Sequence, residues 1–320
     1  MAIDRQTAAA AEQNDVVERR SAGRFAALID LSRGHDAVLS LAQPALGAVL
    51  AVGGVPGLRV SLVGLAAAIC GFLAVFALNG LLDRRFERAP GTPAGIARGV
   101  PRRPRAVAER RRPLASAAPG PRLVIVWVVS LGVLCGVLTA TLSPLCLAFV
   151  CVAVALDVVY CALRAVTAWK TLVAGIAVGL VGLAGWTAAA PLSWRALTVF
   201  GFLALWEIGG RDIARDLVDV DADRRRGATT VATVYGTASA ARAACVLGFA
   251  TLGATITLPM PGGMLNDLAL GTGILLVAWP GAKLWHEPTS AEAASYVDWV
   301  RLYPAAVLAV ALLPALAGAL

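Results

Sequence analysis

Long apolar stretches separated by shorter polar segments dominate the sequence. Each stretch is rich in Ala, Leu, Val and Gly, and each approaches the ~20 residues that a helix needs to cross the hydrocarbon core of a bilayer. Nine such stretches occur, at residues 37–54, 60–81, 123–141, 144–163, 171–191, 195–211, 238–258, 265–283 and 302–320. The pattern predicts an all-α membrane protein with about nine transmembrane helices, formed by residues 36–320 and preceded by a polar cytoplasmic tail at residues 1–35.

Composition supports the same class of protein. Hydrophobic residues make up 58% of the chain, charged residues only 15%, and the mean hydropathy is +0.75. A soluble domain of this length carries more charge, so we exclude that class. The six cysteines all fall within the apolar stretches and form no Cys-x-x-Cys pair. We therefore expect reduced thiols that act as small packing residues.

The arginines predict how the bundle is oriented. They are dense before the first stretch, between the second and third, and between the sixth and seventh, whereas the alternate loops carry little beyond Arg59 and Arg195. By the positive-inside rule the dense segments face the cytoplasm, which places the N-terminus inside and the C-terminus outside, in a bacterial plasma membrane. The net charge of +8 follows from these loops and does not indicate nucleic-acid binding.

Acidic and amide side chains cluster where two of the apolar stretches end. The sixth stretch ends in four aspartates that share one helical face, Asp212, Asp216, Asp219 and Asp223, and the second ends in a sparser set spaced by four, Asn79, Asp83 and Glu87. Carboxylates this close repel one another unless a cation lies among them. Because both sets follow even-numbered stretches, we expect them at the cytoplasmic face of one cavity. Oxygen ligands at a membrane exit suggest Mg²⁺ that holds a phosphorylated substrate.

These two motifs resemble those of the UbiA-type intramembrane prenyltransferase family. The segment from Asn79 to Glu87 fits the family's Asn-x-x-x-Asp-x-x-x-Asp motif, with Glu in the last position, and the segment from Asp212 to Thr230 fits its second, Asp-rich motif followed by Gly and Thr. The family's Arg-Pro-Leu element is similar to Arg112-Pro113-Leu114. The likeness extends from about residue 36 to the end of the chain.

The resemblance implies a Mg²⁺-dependent enzyme that transfers a prenyl group from a prenyl diphosphate to a small acceptor, which we expect to be aromatic. It implies a helical bundle whose cavity opens at the cytoplasmic face, with membrane lipid around it and no nucleic-acid partner. The implied metal ligands are Asn79, Asp83, Glu87, Asp212, Asp216, Asp219 and Asp223. The implied catalytic residues are Tyr160, Lys170 and Arg112, and the implied diphosphate-binding residues are Asn79, Arg215 and Arg224.

The residue types fit this chemistry. A prenyl diphosphate joins an apolar tail to a highly charged head, so its site needs an apolar slot with a polar cap at the membrane surface. Two features depart from the family pattern. Glu87 has a longer arm than Asp, which changes the reach of one ligand. The segment 88–111 is long and rich in Arg, Pro and Gly, and an enlarged loop over the cavity mouth would affect the choice of acceptor.

Two other functions stay open on sequence alone. A terpene cyclase of the same architecture would use the same carboxylates but would let the donor's own double bond act as nucleophile. A cation-coupled transporter would place its carboxylates near the middle of the bilayer, often at broken helices, rather than at the cytoplasmic ends of spans. The sequence does not determine the length of the prenyl chain, the acceptor or the oligomeric state.

Overall fold

The structure of the protein is a computed structural model that describes residues 27–29, 31–32, 34–88 and 120–317. Within these ranges the side chains of residues 34–35 and 83–88 are not described. Most of the predicted tail, the arginine-rich loop and Arg112 therefore lie outside the described residues, and so do the side chains of Asp83 and Glu87.

The described residues fold into helices, with no strand among them. The α-helices are Gly34–Ser40, Ala42–Val52, Leu58–Arg88, Pro121–Leu142, Pro144–Leu163, Lys170–Ala189, Ala196–Leu205, Ala214–Val218, Val220–Arg226, Val231–Tyr235, Thr237–Ile256, Gly263–Gly273, Trp279–His286, Ser290–Val300 and Tyr303–Ala317, and two π-helical segments are Trp206–Ile213 and Ile274–Ala278. The predicted all-α class is confirmed.

Seven of these segments are long and apolar enough to cross a membrane. They are Leu58–Leu82, Pro121–Leu142, Pro144–Leu163, Lys170–Ala189, Thr237–Ile256, Gly263–His286 and Ser290–Ala317. They correspond to the second to fifth and the seventh to ninth predicted spans. The first predicted span is a shorter apolar helix, Asp36–Val52, and the sixth is helical throughout residues 196–218. We refer to these segments as the first to ninth spans in chain order.

Local sequence explains where several spans begin. Pro121 and Pro144 occupy the first turn of the third and fourth spans, where proline leaves no needed amide group unpaired. The Ser143 side chain caps the fourth span by accepting hydrogen bonds from the backbone amides of Leu145 and Cys146. A two-helix hairpin with a very short connection results, which keeps the third and fourth spans side by side.

The structure differs from the predicted elements in two places. The ninth span begins at Ser290 rather than near residue 302, because Ser290–Val300 is a helix whose polar residues hide it from a search for apolar runs. The sixth span is not a regular α-helix: it widens into a π-helix over Trp206–Ile213 and breaks at Asp219, whose φ of −97° and ψ of 9° are not helical. Both irregularities of the sixth span fall on the acidic motif.

Glycines let the first and fifth spans touch backbone to backbone. A Cβ atom at Gly47 would collide with the carbonyl oxygen of Gly182, and one at Gly185 would collide with that of Pro44. Such close approach is how membrane helices gain contact energy, because lipid is as apolar as the helix surface and supplies no hydrophobic drive for association. The contact fixes the fifth span beside the first, and this pairing forms one wall of the cavity described below.

The spans divide into a well-packed group and a lipid-facing group. Over half of the apolar window of the fifth span is buried (56%), against 22%, 17% and 11% for the second, third and fourth spans. Large side chains such as Val126, Val133 and Val152 are exposed on the latter group. In a bilayer, lipid can cover these side chains, which explains why apolar surface is exposed on these spans.

Three of the six cysteines are packed in the interior, as the sequence predicts for small packing residues. All six are free thiols, and Cys135, Cys146 and Cys245 are buried. The Cys245 thiol donates a hydrogen bond to the Gly281 carbonyl oxygen at 3.1 Å, which ties the seventh span to the eighth.

Candidate active site

One large cavity opens among the first six spans, with Leu308 and Leu312 of the ninth span also on its wall. Its volume is about 780 Å³, within the range typical of small-molecule sites. Polar residues line one end, namely Asn79, Asp157, Tyr160, Arg164, Glu207, Arg211, Asp212, Arg215, Asp216, Asp219, Asp223 and Arg226, whereas small and apolar side chains line most of the remainder. The two predicted motifs, represented by Asn79 and the four aspartates, thus face the same cavity.

The segment after the second motif is held by backbone contacts. Gly227 ends the preceding helix with a φ of 68°, a left-handed conformation that glycine adopts without strain. The Thr229 amide donates to the carbonyl oxygen of Arg164 at 3.0 Å, and its hydroxyl donates to that of Ala165 at 3.0 Å. Thr230 then caps the next short helix. The Gly and Thr positions of the motif therefore dock the acidic segment onto the end of the fourth span.

Lys170 supplies the cation that the first two aspartates of the stripe, Asp212 and Asp216, require. We call these two the upper pair, and Asp219 and Asp223 the lower pair. Its ammonium group lies 3.1 and 3.0 Å from the two carboxylate oxygens of Asp216 and 3.6 Å from Oδ2 of Asp212. Lys170 is only 1% exposed, and both aspartates are buried. An ion pair this deeply buried must be retained as a unit, because removing one partner leaves an uncompensated charge.

Tyr160 completes this cluster. Its hydroxyl donates a 2.7 Å hydrogen bond to Oδ1 of Asp212 and lies 3.4 Å from the Lys170 ammonium group, which also lies 4.9 Å from the centre of the tyrosine ring. Tyr160 and Lys170 were predicted together from the family resemblance, and the structure brings them into contact. It also assigns Asp212 and Asp216 a protein partner, which revises the prediction that all four aspartates are available to a metal.

Asp219 and Asp223 differ from the upper pair. Asp219 is exposed and Asp223 is buried, and neither carboxylate has a hydrogen bond or ion pair with another described side chain. Burial raises the pKa of the Asp223 carboxyl above its ordinary value, and Asp219 raises it further, whereas Arg164, Lys170 and Arg226 lower it. Two carboxylates facing a cavity in this way form a site that a divalent cation would relieve.

Asn79 is oriented by two residues of the fourth span. Its side-chain amide group donates to Oδ1 of Asp157 at 3.2 Å, and its side-chain oxygen accepts from the Cys161 thiol at 3.3 Å. A carboxylate only accepts hydrogen bonds, so this contact fixes which end of the Asn79 amide is the oxygen. Sequence reasoning missed Asp157, although an ionisable residue inside a predicted span is itself a signal of function.

The arginines near the mouth do not all behave as predicted. Arg215 lines the cavity and lies 3.9 Å from Asp36 of the first span. Arg224 does not line it; this residue is half exposed and pairs with the exposed Asp221 at 3.7 Å. Arg164 and Arg226, which were not predicted, line the cavity instead. Arg164 and Arg226 thus occupy positions on the cavity wall that Arg224 does not.

An ion pair in the π-helical segment, between buried Glu207 and partly buried Arg211, lies next to the cluster. Nε of Arg211 is 2.9 Å from a carboxylate oxygen of Glu207, and the Arg211 guanidinium lies over the ring of Trp206 at 5.4 Å. The Trp206 indole donates to the Val300 carbonyl oxygen at 2.9 Å, which anchors this turn to the ninth span. Wider π-helical turns recur at functional sites, and here the irregular turn places Glu207 and Arg211 on the cavity wall.

The oxygen ligands at the polar end of the cavity can be compared with the coordination that Mg²⁺ prefers. Among the described side chains, no three acidic, histidine or cysteine residues converge closely enough to hold a metal ion by themselves. Mg²⁺ seldom uses an all-protein cage; it binds through one or two carboxylates together with substrate phosphates and water. Asn79, Asp219 and Asp223 offer only oxygen and face one cavity, so they fit that mode of binding.

The fold and site define a class, an all-α integral membrane protein whose bundle encloses an acid-lined cavity. The profile of the UbiA prenyltransferase family matches residues 40–317. The chain therefore belongs to this family of membrane prenyltransferases. Among curated protein sequences, none matches the chain significantly.

Solved structures share the fold. The apo structure of a UbiA homologue from Aeropyrum pernix K1 has a TM-score of 0.67 and 18% identity, covering 86% of this chain and 96% of its own. Digeranylgeranylglyceryl phosphate synthase gives 0.64 and 18%, covering 90% and 97%. A UbiA homologue from Archaeoglobus fulgidus bound to DMAPP and Mg²⁺ gives 0.61 and 15%, covering 89% and 98%. At these identities the likeness establishes the fold alone.

Proposed function

We propose that this protein binds a prenyl diphosphate with Mg²⁺ and transfers the prenyl group to an aromatic acceptor within the membrane. The observation that carries the proposal is a single cavity with carboxylates, an amide and arginines at one end and apolar walls beyond them. The ends of the cavity match the two ends of a prenyl diphosphate. The Archaeoglobus homologue, which binds DMAPP and Mg²⁺ in the same fold, supports the same ligand class.

The proposed metal ligands are Asn79, Asp219 and Asp223, together with Asp83 and Glu87 on the following turns of the second span. Bound Mg²⁺ would neutralise the diphosphate oxygens and so make diphosphate a better leaving group. Arg164, Arg215 and Arg226, which line the same end, carry charge of the sign needed to hold the remaining oxygens.

Lys170 and Tyr160 act beside the metal ligands. Asp212 and Asp216 hold the Lys170 ammonium group, and the Tyr160 hydroxyl lies against it. The Tyr160 hydroxyl donates to Asp212 and the Lys170 ammonium group donates to Asp216 and Tyr160. We therefore assign both residues to holding the two carboxylates in place beside the metal ligands, as preorganised groups that need no reorientation during reaction. The apolar wall excludes water from the allylic carbon, so that the acceptor meets the cationic carbon before water does.

The cavity favours transfer over cyclisation. Cyclisation passes through carbocations along the chain, and aromatic faces stabilise such cations. Of the described residues that line this cavity, Phe72, Phe76 and Tyr160 are aromatic, and all three lie within two turns of the polar end; mostly small and aliphatic side chains line the remainder. The transporter alternative is disfavoured because the chain belongs to a prenyltransferase family and because Asp219 and Asp223 lie beyond the end of the sixth span.

Product analysis tests the proposal. Purified protein is incubated with Mg²⁺ and a radiolabelled prenyl diphosphate, with and without a panel of phenolic acids, and products are identified by mass spectrometry. Transfer predicts label in a prenylated phenol that forms only when the acceptor is present. A hydrocarbon or cyclic alcohol as the main product without acceptor would establish the cyclase instead.

We also propose that the polar end of the cavity faces the cytoplasm. The support is the density of arginine in the loops at that end. Single cysteines placed at Ala228 and near Gly263 in a cysteine-free background distinguish the faces. In sealed right-side-out vesicles an impermeant maleimide should label the Gly263 position and spare Ala228→Cys, and the reverse labelling would overturn the orientation.

A further inference from the structure

The cavity has a measurable depth along the fifth span. Its lining begins near the ion-paired Lys170 with Ala174 and continues on the same helix to Ala188. These two alanines are fourteen residues apart, which corresponds to about 21 Å at the rise of an α-helix. The apolar slot below the polar end therefore runs through most of the membrane domain.

The second span gives a similar depth independently. On the second span the lining extends from Phe76, one turn below Asn79, to Val60, and Pro56 and Val55 continue it just before this helix. Phe76 and Val60 are sixteen positions apart, or about 24 Å along the helix. Agreement between two separate helices indicates one continuous slot rather than two shallow hollows.

Small side chains line the fifth-span wall of the slot along most of its depth. The fifth span presents Ala174, Ala177, Ala184, Gly185 and Ala188 to the cavity, with a larger valine at positions 178 and 181. Small side chains at helical spacing leave room for an extended chain alongside the helix axis. The same helix turns Ile176 outward, where it is 44% exposed and does not line the cavity.

Because the charged groups lie at one end of the cavity, the prenyl tail of a bound donor must extend from that end into the apolar slot. A charged head held near Lys170, Asp219 and Asp223 places the first carbons of the tail beside Ala174. Each isoprene unit adds four carbon–carbon bonds of about 1.5 Å, or about 5 Å of extended length. A slot of about 21 Å thus accommodates about four units.

On the basis of the proposed function, we infer that the donor is a long-chain prenyl diphosphate of about four isoprene units, and that the fifth span measures its length. The second unit lies beyond Ala177, the third ends near Ala184, and the fourth reaches Ala188. Bulk added at one of these alanines shortens the longest donor that fits, by an amount set by its depth. A five-unit donor exceeds the slot.

The experiment measures binding of a donor series in the presence of Mg²⁺. Purified wild-type protein in lipid nanodiscs is titrated with dimethylallyl, geranyl, farnesyl, geranylgeranyl and geranylfarnesyl diphosphates, and dissociation constants are corrected for the lipid partitioning of each donor. Geranylgeranyl diphosphate should bind about tenfold or more tighter than dimethylallyl diphosphate, with no further gain for geranylfarnesyl diphosphate. Equal or tighter binding of the two shortest donors would overturn the inference.

Variants at graded depth make the test specific to this helix. Ala184→Phe should lower the affinity for geranylgeranyl relative to geranyl diphosphate by about tenfold, and Ala177→Phe should extend the loss to farnesyl and geranyl diphosphates. Ile176→Phe places the same phenylalanine side chain on the lipid-facing side of this helix and should leave the length profile unchanged. A uniform loss across all donors in both alanine variants would contradict the inference.

The outcomes separate this inference from the proposed function. If no donor binds in a Mg²⁺-dependent manner, the proposed function itself fails. If short donors bind with Mg²⁺ as well as long ones, the function stands and the length inference fails. Should the phenylalanine variants not fold, Ala184→Leu and the wild-type profile, with its plateau at geranylgeranyl diphosphate, still decide the matter.

Discussion

Two halves of one acidic stripe have different surroundings. Asp212 and Asp216 are buried and joined to Lys170, with Tyr160 against them, whereas Asp219 and Asp223 face the cavity without an ion pair to another described side chain. All four share a helical spacing and the same residue type. The comparison teaches that spacing identifies the face on which charges lie, but the partner that neutralises each charge is decided by a neighbouring helix.

The largest expected effect is a loss of folding stability when the ion pair of Lys170 with Asp212 and Asp216 is broken. Lys170→Met removes the cation from two buried carboxylates, and breaking a buried ion pair in this way costs about 3–5 kcal/mol. Thermal unfolding in detergent should show a strongly destabilised protein. Adding Asp216→Asn to Lys170→Met should recover part of the loss, because it removes one stranded charge. Wild-type stability of Lys170→Met would mean that the cluster has no structural role.

The lower pair should respond in activity instead. Asp219→Asn and Asp223→Asn each remove a proposed metal ligand, and loss of such a preorganised electrostatic group lowers turnover by about 100- to 1,000-fold. Mg²⁺-dependent diphosphate release measures this, with unfolding temperature as the check that the fold survives. Asp221→Asn is the matched control, since Asp221 is exposed and lies off the stripe; it should retain wild-type turnover.

How far the sequence predicts the fold depends on how each helix is stabilised. Spans whose length and apolar composition meet the thickness of a bilayer were predicted to within a few residues, because the bilayer dictates both. Ser290–Val300 was missed because its helix carries polar residues and packs on protein rather than lipid. The break at Asp219 and the π-helical turn also escaped, since no local residue pattern specifies them.

The site was predictable in outline for a similar reason. Charged residues are rare in membrane segments, so the two motifs stood out, and the structure brings Asn79 and the aspartates to one cavity. The pairing of Lys170 with Asp212 and Asp216 joins residues more than forty positions apart and depends on how two spans pack. Arg224 was predicted as a diphosphate-binding residue, but in the structure it is half exposed and pairs with Asp221.

A smaller effect is expected from removing the Tyr160 hydroxyl, which contacts both Asp212 and Lys170. Tyr160→Phe removes the 2.7 Å hydrogen bond to Asp212, and a hydrogen bond to a charged group contributes about 1.5–3 kcal/mol. Both the unfolding temperature and the rate of diphosphate release should fall. Tyr235→Phe removes a hydroxyl from an exposed tyrosine and should change neither. A change in stability without a change in the rate of diphosphate release would mean that Tyr160 has only a structural role, like Asp212 and Asp216.

The smallest expected effect concerns the residue that orients Asn79. Asp157→Leu removes the acceptor of the 3.2 Å hydrogen bond, a loss of about 1 kcal/mol that should raise the Mg²⁺ concentration for half-maximal diphosphate release by about fivefold. Asp157→Asn keeps an acceptor oxygen and should retain more of the wild-type response. An equal shift in both variants would indicate that the negative charge matters rather than the hydrogen bond.

The central claim is that the lower half of the stripe binds the metal and the upper half does not. Binding of tritiated geranylgeranyl diphosphate, measured with and without Mg²⁺ in the wild type and in the Asp216→Asn, Asp219→Asn and Asp223→Asn variants, tests it most directly. The account predicts that Mg²⁺ strengthens binding in the wild type and in Asp216→Asn, and that this enhancement is lost in Asp219→Asn and Asp223→Asn. Enhancement that persists in both lower variants but disappears in Asp216→Asn would contradict it.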